Sequence, residues 1–122
     1  MNTRMEYLYR DASNYKSPNQ VIVAGTITEE QKEAILQTLE DGTYFIPEQI
    51  GLDLYRGWDI TEDDHPFCEL DVEKDFYETE EAADDENFTV DNLVAAFLST
   101  GGKWDADEYA PDYESCEYEE ES

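Results

Sequence analysis

Alternation and helical spacing divide this chain into four strands, two helices and one short helical turn. Met5–Tyr9 (MEYLY) places Met5, Tyr7 and Tyr9 on one face of a strand. Ser17-Pro18-Asn19 reads as a breaker, and Gln20–Gly25 (QVIVAG) is apolar on both faces, which predicts a covered, central strand. The two could pair as a hairpin with a long loop. Thr28-Glu29-Glu30-Gln31 has the form of a capping box and opens a helix over about Glu29–Glu40, burying Ala34, Ile35, Leu36 and Leu39. Asp41-Gly42 stops it, with glycine as the left-handed residue. Thr43–Ile46 then predicts a short strand, and Pro47–Leu52 one helical turn. Pro66–Tyr77 predicts a fourth strand whose inward set is Cys68, Leu70, Val72 and Phe76. The last element is the clearest: Thr89 caps a helix striped by Val90, Leu93, Val94, Phe97 and Leu98, stapled by Phe88, and stopped by Gly101-Gly102.

The order strand, strand, helix, strand, strand, helix has no βαβ repeat. It predicts an α+β fold: a mostly antiparallel sheet of about four strands with two helices on one face. Residues 1–104 form the expected single domain, and 105–122 an acidic, tyrosine-dotted tail.

Charge changes this picture. The 122 residues carry 33 acids against 7 bases, a formal net of −26. Residues 1–61 hold 10 acids and 5 bases, net −5; residues 62–122 hold 23 and 2, net −21. Such a charge argues against direct binding to nucleic acid or an anionic membrane and favours cationic partners. Two cysteines without a disulfide framework, no apolar leader and no membrane-length apolar run together predict a cytoplasmic protein.

Catalytic signatures are missing: there is no P-loop, GxGxxG, GxSxG or HExxH, so no enzymatic activity and no cofactor is expected. His65 is the one histidine, and Cys68 is expected to face the core. A metal site would have to draw on Asp63, Asp64, His65, Cys68 and Glu69, without a second ligand cluster at defined spacing. EF-hand loops starting at Asp59 or Asp105 put Asp64 or Ala110 where glycine belongs, and Leu70 or Cys116 where the bidentate glutamate belongs.

The remaining signal is the outward set of the fourth strand. Glu69, Asp71, Glu73 and Asp75 would form a row of anions about 20 Å long on a regular strand, at a spacing comparable to successive phosphates. Glu78, Glu80, Glu81, Asp84, Asp85 and Glu86 extend it. Phe67, Tyr77, Tyr109, Tyr113 and Tyr118 lie among the acids, where a nucleic-acid site expects bases to stack. These ten carboxylates are the expected partner-binding residues. The plain alternative is a solvated sheet face whose charge discourages aggregation.

By size, charge and carboxylate arrangement the chain resembles the small acidic DNA-mimic proteins that phages and mobile elements use against restriction or CRISPR nucleases. That resemblance implies a non-enzymatic inhibitor whose partner is a basic nucleic-acid-binding protein, a CRISPR effector or restriction enzyme, blocked in its cationic site. The alternative is a small acidic interaction domain contacting a basic partner unrelated to nucleic acid. Separately, EYLYRDASNYK (Glu6–Lys16), DGTYFIPEQIGL (Asp41–Leu52) and DDHPFCEL (Asp63–Leu70) are similar to a pattern in small uncharacterised bacterial proteins. It implies no activity; relatives of that pattern are expected to carry a second histidine near Cys68, which this chain lacks.

Overall fold

A computed structural model describes residues 1–57, 60–61 and 64–110. Strands β1 (Asn2–Arg10) and β2 (Lys16–Val23) form an antiparallel hairpin, paired from Thr3↔Val23 to Arg10↔Lys16. Its loop is closed by Asp11, whose side chain accepts from the N–H groups of Ser13 and Tyr15 at 2.9 Å each. Helix α1 (Glu29–Thr38) follows, then β3 (Tyr44–Phe45), a 3-10 turn at Pro47–Ile50, β4 (Cys68–Glu69), β5 (Phe76–Thr79) and α2 (Val90–Thr100). The sheet order is β2-β1-β4-β3, with β5 also on β1, and every strand pairing is antiparallel. The α+β expectation therefore holds.

β1 is the central strand. Its odd residues Thr3, Met5, Tyr7 and Tyr9 are buried, and with Ile35 of α1 and Leu93 and Phe97 of α2 they form the core. Burying four α2 side chains, Val90, Leu93, Val94 and Phe97, favours folding by about 1.5–3 kcal/mol each. Leu98, at the stripe's edge, stays 51% exposed. Both helices open on capping boxes: Thr28 with Gln31, and Thr89 with Asn92. Trp104, just after α2, donates to the Thr38 carbonyl (2.8 Å) and stacks edge-on against Phe45 and Phe97.

Four expectations are corrected. Pro18 lies inside β2 rather than in a turn. Ile22 N–H bonds away from β1, to Asp84 at 2.9 Å, so even-numbered β2 residues face outward and proline there forfeits no ladder bond. β2 is consequently an edge strand, not a central one; its apolar outer side is covered because Asp84, Phe88 and Val90 bond to Ile22 and Ala24. Helix α1 ends before Asp41-Gly42, which form instead the two central residues of a tight reversal closed by Thr43 N–H on the Glu40 carbonyl (3.0 Å), both at positive φ (55° and 71°); Glu40 then pairs with Tyr44 across residues 41–43. Asp-Gly is the composition such a reversal requires.

The fourth correction concerns Pro66–Tyr77, which is not one strand. Leu8 and Tyr9 pair with Glu69 and Cys68, and Met5 with Phe76. Leu70 and Asp75 therefore fall opposite Tyr7 and Glu6, and Asp71–Lys74 loop out between them. Asp75 N–H donates back to the Asp71 carbonyl (2.8 Å), closing one helical turn. Four is an even number, so the excursion preserves inward–outward parity. Cys68, Leu70, Val72 and Phe76 are all buried, as the alternation predicted, although the chain between them is not extended.

From β5 the chain crosses the end of the hairpin within Glu80–Ala83 and reaches the far edge of β2 at Asp84. Asn2 sits at that crossing, donating to the Glu81 carbonyl (2.8 Å) and accepting from Gly25 N–H (3.1 Å). Residues 105–110, expected to be plain tail, begin with a turn in which Asp105 accepts from Glu108 N–H (3.1 Å). Residues 111–122, with Tyr113, Cys116 and Tyr118, lie outside the described residues.

Candidate functional site: an acidic concavity beside the central strand

The even-numbered residues of β1 point away from the helices, and the 69–75 segment runs alongside them. Two adjoining hollows of about 550 and 510 Å³ meet here and share Leu8 and Asp75. Glu69, Asp71, Glu73 and Asp75 line the first, over a floor that includes Leu8 and Leu70; Glu6 and Pro18 line the second. All four carboxylates expected to form a row thus converge on one concave surface, but not as a row. Glu69 and Asp75 stand at sheet positions, opposite Leu8 and Glu6, while Asp71 and Glu73 ride on the looped-out turn.

The backbone fixes that turn through its own acids. Asp71 accepts from Glu73 N–H (3.0 Å), and the Asp75 carboxylate accepts from Asp71 N–H (2.8 Å). Partial burial, with Asp71 and Glu6 close by, pushes the Asp75 carboxyl above its ordinary range, against the opposing effect of the Asp71 hydrogen bond. Glu69 is held by Arg10 through two contacts, 2.8 Å from Nε and 3.4 Å from the second guanidinium nitrogen. That pairing in turn raises the Arg10 pKa.

The remaining acids spread around the hairpin. Glu78 and Glu80 are exposed on and after β5. Glu81 lies 3.7 Å from Arg4. Asp84 is occupied with Ile22, Asp85 accepts from Asn87 N–H (2.9 Å), and Glu86 is exposed. Tyr77 is 42% exposed beneath the Arg4 guanidinium, 5.4 Å from its ring centre, and the charge of Glu6 raises its pKa. Phe67 and Tyr109 are half-buried. The sequence reading missed Glu6 and Arg10; both could have been found by extending β1's parity, since they share the outward side with Leu8.

A second polar cluster sits beneath the long 52–67 connection. Asp64, fully buried in its side chain, accepts from the Tyr9 hydroxyl and from Thr61 N–H (2.8 Å), with Arg56 Nε at 3.8 Å. Arg56 stacks over the Tyr9 ring (4.6 Å) and donates to the His65 carbonyl (2.6 Å). Burial and the bond to Asp64 push the Tyr9 hydroxyl up to about 12. His65 Nδ1 accepts from Phe67 N–H (3.1 Å), so Nε2 carries the proton and donates to the Arg10 carbonyl (2.7 Å).

The residues weighed as metal ligands are therefore spoken for: Asp64 and both His65 nitrogens are engaged, and Glu69 pairs with Arg10. Asp63 lies outside the described residues. Among the described residues no three His, Cys, Asp or Glu side chains are placed to hold a metal, and no helix is long and apolar enough to cross a membrane. Cys68 is 1% exposed, and burial drives its thiol pKa far upward, leaving it a core side chain. No family model, curated protein or solved structure matches this chain.

Proposed function

We propose that this protein is a non-enzymatic acidic ligand that occupies the cationic nucleic-acid-binding site of another protein, as an inhibitor of a bacterial defence nuclease would. One observation carries the reading: Glu6, Glu69, Asp71, Glu73 and Asp75 line two adjoining hollows that share Leu8 and Asp75, on backbone held by hydrogen bonds. From Glu69 to Glu86, ten of 18 residues are acids and Lys74 is the single base. Anions on an ordered backbone can replace phosphates in the term that dominates affinity for nucleic acid, at a reduced ordering cost on binding.

The geometry alters the form of the mimicry. A straight row matched to phosphate spacing is lost once Asp71–Lys74 loop out, so density and fixity of charge carry the argument and periodicity does not. Glu73, on the protruding turn, is the acid best placed to enter a groove.

The test is binding to a purified CRISPR effector or restriction enzyme at rising salt, with duplex DNA as competitor. Binding should weaken steeply with salt and be competed by DNA. Replacing Glu69, Asp71, Glu73 and Asp75 by Gln or Asn should abolish it while circular dichroism stays unchanged. Full-strength inhibition by that variant would overturn the proposal. Binding to a basic protein that DNA does not displace would favour the alternative, an acidic interaction domain unrelated to nucleic acid.

A further inference from the structure

Strand edges invite pairing with other chains, and among the described residues this fold blunts all but one of its own. The outer edge of β2 carries Pro18, then is covered where Asp84, Phe88 and Val90 bond to Ile22 and Ala24. The outer edge of β3 is taken by Glu40, which exchanges N–H and C=O with Tyr44 at 2.8 and 2.9 Å. Among the described residues β5 alone is left open: it pairs with β1 and with no other strand.

Its free groups can be named. Glu6 N–H donates to the Asp75 carbonyl (2.9 Å), so even-numbered β1 residues bond toward this side and meet Asp75, Tyr77 and Thr79. Phe76 and Glu78 consequently direct N–H and C=O away from β1, and among the described residues no partner takes them. The flanking charge has one sign. No Lys or Arg occurs from Phe76 to Glu86, where Glu78, Glu80 and Glu81 are all exposed. A second copy of this chain would bring the same acids against them, so the charges that reject self-pairing select a cationic strand.

We propose that the open edge of β5 accepts an extended, Lys/Arg-rich segment of a partner protein as an added strand, bonded to Phe76 and Glu78. This deepens, and rests on, the reading of the acidic surface as a docking face for a cationic protein. The main chain supplies register; Glu78, Glu80, Glu81 and Glu73 supply the preference for basic side chains.

The experiment uses the full-length protein and a short synthetic peptide alternating lysine with threonine. Binding is followed by amide NMR and hydrogen exchange, beside the same peptide N-methylated at every second residue. Methylation keeps the charge and removes the N–H groups facing β5. The unmodified peptide should protect the Phe76 and Glu78 amides, and methylation should weaken binding roughly tenfold or more, as lost main-chain hydrogen bonds demand. Glu78→Pro removes the outward N–H together with the carboxylate and should cost more than Glu78→Gln, which removes the charge alone and should mainly reduce salt sensitivity. Equal affinity for both peptides, or protection that avoids Phe76 and Glu78, overturns strand addition while leaving the acidic docking face intact. If the unmodified peptide fails to bind even at low salt the inference is overturned, and failure of every nuclease test as well removes the reading beneath it.

Discussion

Deleting Asp71–Lys74 tests the claim that parity, not continuity, positions the 68–79 segment. The deletion joins Leu70 to Asp75, residues that already lie opposite adjacent β1 positions, Tyr7 and Glu6. β4 and β5 would then merge into one strand with Cys68, Leu70 and Phe76 still inward. The loss is the burial of Val72, about 1.5–3 kcal/mol, and four hydrogen bonds that close the turn, about 0.5–1.5 kcal/mol each; it is offset because four fewer residues must be ordered, at about 1–2 kcal/mol each. The variant should fold with a urea midpoint close to the parent's. Deleting only Glu73, Lys74 and Asp75 removes fewer residues but flips the segment. Phe76 would turn to solvent and Tyr77 inward, at a cost of about 3–5 kcal/mol for the lost aromatic alone. Urea titration followed by Trp fluorescence and far-ultraviolet circular dichroism distinguishes the two. If the odd deletion proves as stable as the even one, parity does not position this segment and the account of its burial pattern is wrong.

Asp75→Asn should be neutral to stabilising at neutral pH, because the amide oxygen can still accept from Asp71 N–H while the crowding with Asp71 and Glu6 is relieved. The sign follows from the raised folded pKa: stability from protonated Asp75 is fully present below the unfolded pKa and lost as pH rises through the folded one. The parent should therefore fall behind the variant as pH rises from about 4, the unfolded carboxylate value. Urea midpoints for both proteins at acid and neutral pH check this, and a constant gap refutes it. Trp104→Ala should destabilise by about 2–4 kcal/mol, since it empties the space between Phe45 and Phe97 and orphans the Thr38 carbonyl. A loss under about 1 kcal/mol, within the range of ordinary surface substitutions, would show that the chain after α2 is not anchored there.

Local signals were legible wherever one residue's chemistry decides the outcome. Thr28 and Thr89 cap as expected because their side chains bond three residues along, whatever the rest of the chain does. The inward identities of Cys68, Leu70, Val72 and Phe76 were equally readable, because alternation records burial. The looped-out turn was hidden by that same alternation: an even insertion leaves the pattern intact, and only the length of β1 opposite it reveals the excess. Pro18 misled because a proline's cost depends on which way its missing N–H would have pointed, a tertiary fact. Asp41-Gly42 suits both a helix stop and a tight reversal, and the pairing of Glu40 with Tyr44 decided between them. At the candidate site, the carboxylates of the second half were visible in composition. The parity of β1 puts Glu6 and Arg10 on the outward side, but their meeting with Asp75 and Glu69 required the register of β1 against β4 and β5.

One connection has a bearing on how the molecule comes apart. The chain from Cys68 to Val90 lies along β1 on one side of the hairpin, crosses its end past Asn2, and returns along β2 on the other. Neither edge of the hairpin can be bared without disturbing the same continuous stretch, and that stretch leads directly into α2. Opening should therefore be all-or-none across the sheet: the β1 and β2 amides are expected to exchange with solvent together, at the rate of global unfolding, with no separately melting hairpin.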